Sequence, residues 1–112
     1  MRELFVTRAA EADLLEIWLY FFEMSEEAAE RVVDEITEKY DLLAEFPFMG
    51  RRRTEFGGRY RSLAVRNYVI FYRVSEEALE ISRVLHGARD LAGIFPLEAE
   101  RESESEEEIP PT

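Results

Sequence analysis

Between Tyr68 and Val74 the chain reads YVIFYRV, seven residues almost all bulky, aromatic or β-branched and with no polar alternate face. Such a run is a strand covered on both sides, because strict alternation would mark a strand with one wet face. A four-residue polar break, SEEA at 75–78, leads into LEISRVLH at 79–86, a second apolar strand. Strands joined this closely pair as antiparallel neighbours. The remainder of the chain must therefore cover this hairpin, which excludes an all-helical fold.

The upstream sequence supplies the cover. ELFVT at 3–7 is short, apolar and β-branched, and reads as a first strand. From Ala9 the period changes: Leu14, Ile17, Trp18, Phe21 and Phe22 recur every three or four residues, the mark of an amphipathic helix, with Thr7 as its N-cap. The bulk of WLYFFEM reaches more than one side of that helix, so part of it must meet a second helix or a partner. Ser25 followed by Glu26 and Glu27 is a fresh N-cap with acids at the positive end of the helix dipole. A second helix over about 26–45 carries the stripe Ala29, Val32, Val33, Ile36, Tyr40 and Leu43, and an i,i+4 pair of Glu35 with Lys39. The short break between the helices predicts an antiparallel hairpin, and Pro47 stops the second helix.

PFMGRRRTEFGG at 47–58 reads as a loop. RYRSLAV at 59–65 is a strand with Arg61, Leu63 and Val65 on one side and Tyr60, Ser62 and Ala64 on the other. Arg66-Asn67 is a tight turn, with positive φ expected at Asn67. Gly87 ends the last strand, and ARDLAGIF suggests one short helical turn. The resulting order, β-α-α-β-β-β, predicts an α+β fold: an antiparallel sheet with a helical hairpin packed on one face. The folded domain is expected over 1–96, and the acidic stretch 97–112 is expected to be a disordered tail.

Charge is segregated. The net charge of −11 divides into −9 over 1–46 (13 acids, 4 bases), +5 over 47–89 (9 arginines, 4 acids) and −7 over 90–112 (8 acids, 1 arginine). Local sign, rather than the total, steers a charged partner. Every base in the middle segment is arginine, whose planar fork suits phosphate and carboxylate. There is no cysteine, which excludes disulfides and thiolate chemistry, and no apolar run approaches the roughly 20 residues a bilayer needs. No signal-peptide pattern opens the chain, so a cytoplasmic setting is expected. One histidine without spaced partners offers no metal site, GRRRTEFGG lacks the Gly-Lys-Ser/Thr of a P-loop, and no cofactor is expected.

Taken in order, DLLEIWLYF, AAERVVDEI, PFMGR, RYRSLAV, YVIFYRV and RVLHGARDL resemble the ParE branch of the ParE/RelE toxin superfamily over residues 3–92. The resemblance implies the toxin half of a bacterial type II toxin–antitoxin pair, neutralised by an antitoxin whose C-terminal segment wraps it. It also admits a homodimer or a hetero-oligomer with that antitoxin. RelE-like members cut mRNA on the ribosome with basic residues and usually a tyrosine, whereas ParE-like members are associated with poisoning DNA gyrase. Val69 stands where the nuclease pattern has arginine, and no tyrosine follows Arg89 in Asp90-Leu91-Ala92. These departures place the chain nearer ParE, with gyrase as the implied target and no catalytic set. The long acidic tail departs from both branches.

Three readings stay open on the residues. As a nuclease the chain would use Arg61, Arg83 and His86 on ribosome-bound mRNA. As a binding toxin it would contact antitoxin or target through Trp18, Phe22, Arg51, Arg52, Arg53, Arg59, Arg61, Arg73, Arg83, His86 and Arg89. As a non-toxic scaffold it would persist in an antitoxin complex. Arg61, Arg73 and Arg83, on three adjacent strands, would form an anion site if they share a face, and otherwise make salt bridges. His86 is either an acid–base group or a bonded strand end. Tyr60, Tyr68 and Tyr72 either stack bases or sit half-buried in the sheet.

Overall fold

A computed structural model describes residues 2–56 and 58–87. Thr7 accepts the N–H of Ala10 and opens helix α1 (Arg8–Phe22), and Ser25 accepts the N–H of Ala28 and opens α2 (Glu26–Glu45). Each cap satisfies an otherwise orphaned helix donor and contributes about 1 kcal/mol. Strands β1 (Glu3–Val6), β2 (Arg51–Arg53), β3 (Tyr60–Val65), β4 (Tyr68–Val74) and β5 (Ala78–His86) form one sheet in the order β1-β5-β4-β3-β2.

The α+β class and the helix pair on the sheet are as expected. The sheet, however, is mixed: β1 runs parallel to β5, in the register Val6 opposite Ile81, while the other pairs are antiparallel. The physical reason lies in α1 and α2. They return the chain over the sheet, so the first strand joins the far edge beside the last one instead of continuing a meander. The second difference is β2, which occupies part of the stretch read as loop; its three arginines pair antiparallel with Tyr60, Arg61 and Ser62. A 3-10 turn, Thr54–Phe56, follows it.

The main core lies between the helices and one sheet face. Ala10 and Ile17 of α1 and Val32, Ile36, Tyr40 and Leu43 of α2 pack on Val65, Tyr68, Ile70, Tyr72, Leu79, Ile81 and Val84. A fully buried Ile or Leu here contributes roughly 1.5–3 kcal/mol. A smaller cluster on the opposite face joins Phe56, Tyr60, Phe71 and Leu85, with Val69 against it. This explains why YVIFYRV is apolar throughout: Ile70 and Tyr72 serve one cluster, Phe71 the other.

Two turns are held by contacts that the sequence does not advertise. The left-handed residue of the β3–β4 turn is Arg66, at φ 56°, not Asn67. Its guanidinium grips the Glu35 carboxylate from α2 through both Nε and Nη2, so Glu35 pairs across the fold as well as sitting near Lys39. At the other turn, the fully buried Tyr72 hydroxyl accepts the Gly50 N–H at 2.9 Å and donates to the Pro47 carbonyl at 2.8 Å. A Cβ at position 50 would overlap that hydroxyl and lie 2.8 Å from the Ser62 carbonyl, so the close approach requires glycine.

Candidate functional site

Helix α1 carries more apolar surface than the core uses. Leu15, Leu19 and Phe22 are 58%, 51% and 46% exposed, and their 4-and-3 spacing sets them on one stripe. Trp18 joins it, stacking on Phe22 with ring centroids 4.7 Å apart. Tyr20 and Met24, four residues apart, are exposed on another side of the helix. Trp18 and Phe22 were legible from the sequence; Leu15 and Leu19 were not singled out, although their spacing from Phe22 was the signal.

The arginines do not form one group. On the sheet face away from the helices, Arg53 lies over Phe56 and Phe71, 5.6 and 5.3 Å from their centroids, and bonds Glu55 and the Ser62 hydroxyl. Arg51 is 3.7 Å from the same Glu55 carboxylate, which its own amide hydrogen bond and these arginines hold below the ordinary range. Arg73 lies over Tyr60, 5.8 Å from the ring centre. Burial lowers its pKa, and Glu80, directly opposite on β5, works against that shift. Arg59 is exposed at the entry to β3.

Arg52 and Arg61 lie directly opposite each other on β2 and β3 and share the other face of the sheet. Arg61 donates to the Phe48 and Gly50 carbonyls at 3.3 and 2.9 Å, and lies 5.0 Å from the Phe48 ring centre. Arg2 reaches the same ring at 5.2 Å while donating to the Ser75 carbonyl. Phe48 itself is 59% exposed, with Phe46 and Met49 beside it in sequence and also exposed.

The trio Arg61, Arg73 and Arg83 therefore does not converge. Arg61 faces the helix side, Arg73 the opposite side, and Arg83 is bound to Asp13 of α1. A β-bulge explains part of this. The register shifts between Phe71 and Tyr72, Ser82 is skipped, and Arg83 falls at the sheet margin just past the end of β1.

Nor does the nuclease set assemble. His86 makes an edge-to-face contact with Tyr68 at 5.5 Å, and Tyr68 is four residues along β4 from the partner of Arg61, about 13 Å at strand rise. Tyr60, Tyr68 and Tyr72 are buried, so none offers a ring face for base stacking. Arg89, the Arg89-Asp90 pair and the acidic tail lie outside the described residues. Among the described residues no group of three His, Cys, Asp or Glu is placed to hold a metal, and no helix is long and apolar enough to cross a membrane.

These surfaces belong to a fold with known relatives. Residues 4–91 match the family model described as the ParE toxin of the type II toxin–antitoxin system parDE. Toxin ParE1 of Caulobacter vibrioides is 37% identical over 82 residues, covering 72% of this chain and 84% of that protein. Toxin RelE3 of the same organism is 31% identical over 78 residues, covering 69% and 85%. A chain in the solved structure of the chromosomal ParDE toxin–antitoxin system from P. aeruginosa superposes with a TM-score of 0.68 at 26% identity, covering 77% of this chain and 96% of that chain. By the family match over residues 4–91, set on this fold, the chain belongs to the ParE toxins of type II toxin–antitoxin systems.

Proposed function

We propose that this ParE-family toxin acts in the cytoplasm by binding a protein target, DNA gyrase, and that a cognate antitoxin neutralises it by laying an amphipathic segment along α1. The observation that carries the antitoxin contact is the Leu15–Trp18–Leu19–Phe22 stripe, an apolar helix face left exposed beside a packed core. Helix-in-groove recognition uses i, i+3/i+4, i+7 anchors of this spacing. Target binding without turnover is supported by the different engagements of the nuclease candidates: Arg61 bonds the Phe48 and Gly50 carbonyls, Arg83 is held by Asp13, and His86 packs on Tyr68.

The test is a supercoiling assay with purified gyrase. Inhibition or trapped cleaved DNA is expected, relieved by the co-encoded antitoxin. Unchanged supercoiling together with mRNA cleavage in a translation extract would replace this reading by the nuclease one.

A further inference from the structure

The loop that joins α2 to β2 is pinned from beneath. The Tyr72 hydroxyl accepts the Gly50 N–H and donates to the Pro47 carbonyl, Arg61 donates to the carbonyls of Phe48 and Gly50, and the Met49 N–H bonds the Phe46 carbonyl. On this fixed backbone Pro47 is buried, while Phe46, Phe48 and Met49 stand out in solvent. Three large apolar side chains within four residues make a patch of the kind that marks an interaction site. The fold already supplies the order of the loop, so a partner that covers the patch loses little conformational freedom in doing so.

The patch is set among arginines. Arg2 and Arg61 lie 5.2 and 5.0 Å from the Phe48 ring centre, and Arg52 faces Arg61 across the β2–β3 pair, where like charges directly opposite are destabilising. Among the described residues none of these three makes an ion pair; Arg2 and Arg61 donate to carbonyls. Aromatic residues, methionine and arginine are what the centres of protein–protein contacts concentrate. A long polyanion suits the place less well, because exposed carboxylates bound it: Glu45 precedes Phe46, Glu3 follows Arg2, and Glu76 follows the Ser75 whose carbonyl Arg2 holds. These repel a nucleic-acid backbone or an anionic bilayer, whereas a short segment with one or two carboxylates meets the arginines alone.

We infer that Phe46, Phe48 and Met49, with Arg2, Arg52 and Arg61, form a second docking surface whose occupant is a short acidic segment of a partner protein. An apolar side chain of that segment seats against Phe48, and its carboxylates bind Arg52 and Arg61, relieving the repulsion between them. The surface is separate from the Phe22 end of the α1 stripe: Phe22 precedes α2 and Phe46 follows it, with the 20 residues of that helix, about 30 Å at helix rise, between them. The inference does not depend on gyrase being the target.

Amide NMR titration of the full chain with synthetic peptides tests this. The peptide Glu-Asp-Phe-Leu-Asp-Glu is expected to shift the amides of Phe48, Met49, Gly50, Arg52 and Arg61 saturably and to leave those of Leu15 to Phe22 in place. Its uncharged analogue, with Gln and Asn for Glu and Asp, and its analogue with Ser for Phe and Leu should each bind about tenfold more weakly. Raising salt to about 0.5 M should weaken the parent peptide. Phe48→Ser and Arg52→Glu are each expected to cost about tenfold as well. Both side chains are exposed, and unchanged amide positions in β4 and β5 show that the fold is intact. Absence of saturable binding by the parent peptide overturns the inference. So does binding that ignores both substitutions, shifts confined to α1, or tighter binding of oligothymidylate or phosphatidylglycerol vesicles at these same amides.

Discussion

The carboxylate of Asp13 holds Arg83 through two hydrogen bonds, Nε to Oδ2 at 2.7 Å and Nη2 to Oδ1 at 2.8 Å, and Oδ2 also accepts the backbone N–H of Val84 at 2.9 Å. One helix side chain thereby closes the edge of β5 where β1 has ended. Thr7 works beside it, capping α1 and donating its hydroxyl to the Ser82 carbonyl at 2.9 Å. The first turns of α1 thus stand in for the missing continuation of β1.

Asp13→Ala is expected to lower stability by about 3 kcal/mol, because it strands a partly buried guanidinium and the Val84 N–H together. Asp13→Asn, which keeps an acceptor, should cost less. Chemical denaturation midpoints measure both; an alanine variant as stable as the wild type would show that water replaces the carboxylate.

Two buried tyrosines should respond oppositely to loss of the hydroxyl. Tyr72→Phe removes the bridge between Gly50 and Pro47 and is expected to destabilise by about 1–2 kcal/mol. The Tyr40 hydroxyl is buried with no hydrogen-bond partner among the described residues, and burial, with Asp13 and Glu11 nearby, raises its pKa. Tyr40→Phe is therefore expected to leave stability unchanged or raise it by about 1 kcal/mol. Thermal melts of the two variants side by side decide the matter.

The Glu35–Arg66 pair predicts a pH dependence. Its hydrogen bond with Arg66 holds the Glu35 carboxyl below its ordinary value of 4.5. A carboxyl depressed in the folded state stabilises the fold above its unfolded pKa, and that contribution is lost as pH falls through the folded pKa. The loss should therefore appear at pH values below 4.5 and be absent in Arg66→Gln. A carbon-detected NMR titration of Glu35 in both proteins would reveal the shift directly; equal titration curves would exclude it.

On α1, Leu19→Lys and Phe22→Lys are expected to leave the melting temperature nearly unchanged, since both side chains are about half exposed. Each should weaken antitoxin binding by at least about tenfold if the stripe is the contact, because truncating an apolar anchor typically costs more than 1 kcal/mol. Titration calorimetry with the co-encoded antitoxin gives the affinity, and wild-type affinity in both variants would move the contact elsewhere.

Much of the fold was legible because its signals are local. Thr7 and Ser25 announce their helices by chemistry that acts within three residues, and Tyr68 to Val74 declares a doubly covered strand by composition alone. The hairpin of α1 and α2 follows from the short break between them. What the residues could not disclose was pairing at a distance. Nothing in ELFV says that it will lie parallel to β5, because that depends on where two helices set the chain down. RRR reads as loop because its partner, YRS, lies beyond an irregular turn.

The candidate site divides along the same line. Trp18 and Phe22 stood out as surplus bulk on a helix, and the arginine-rich middle stood out by charge. Which sheet face each arginine takes depends on register: with Ser82 skipped, Arg83 pairs with Phe71, off the face of Arg61, and at the sheet margin it meets Asp13. Sequence by itself determined the two helices with their caps, the first strand, the three C-terminal strands with their apolar hairpin, and the family, since each rests on neighbouring residues or on motifs in sequence. Only the tertiary structure decided the mixed sheet, the opposed Arg52 and Arg61, and the Asp13 clasp. Those rest on which strands pair and which atoms meet across the fold, seventy residues apart for Asp13 and Arg83, and a one-residue change of register reverses every face.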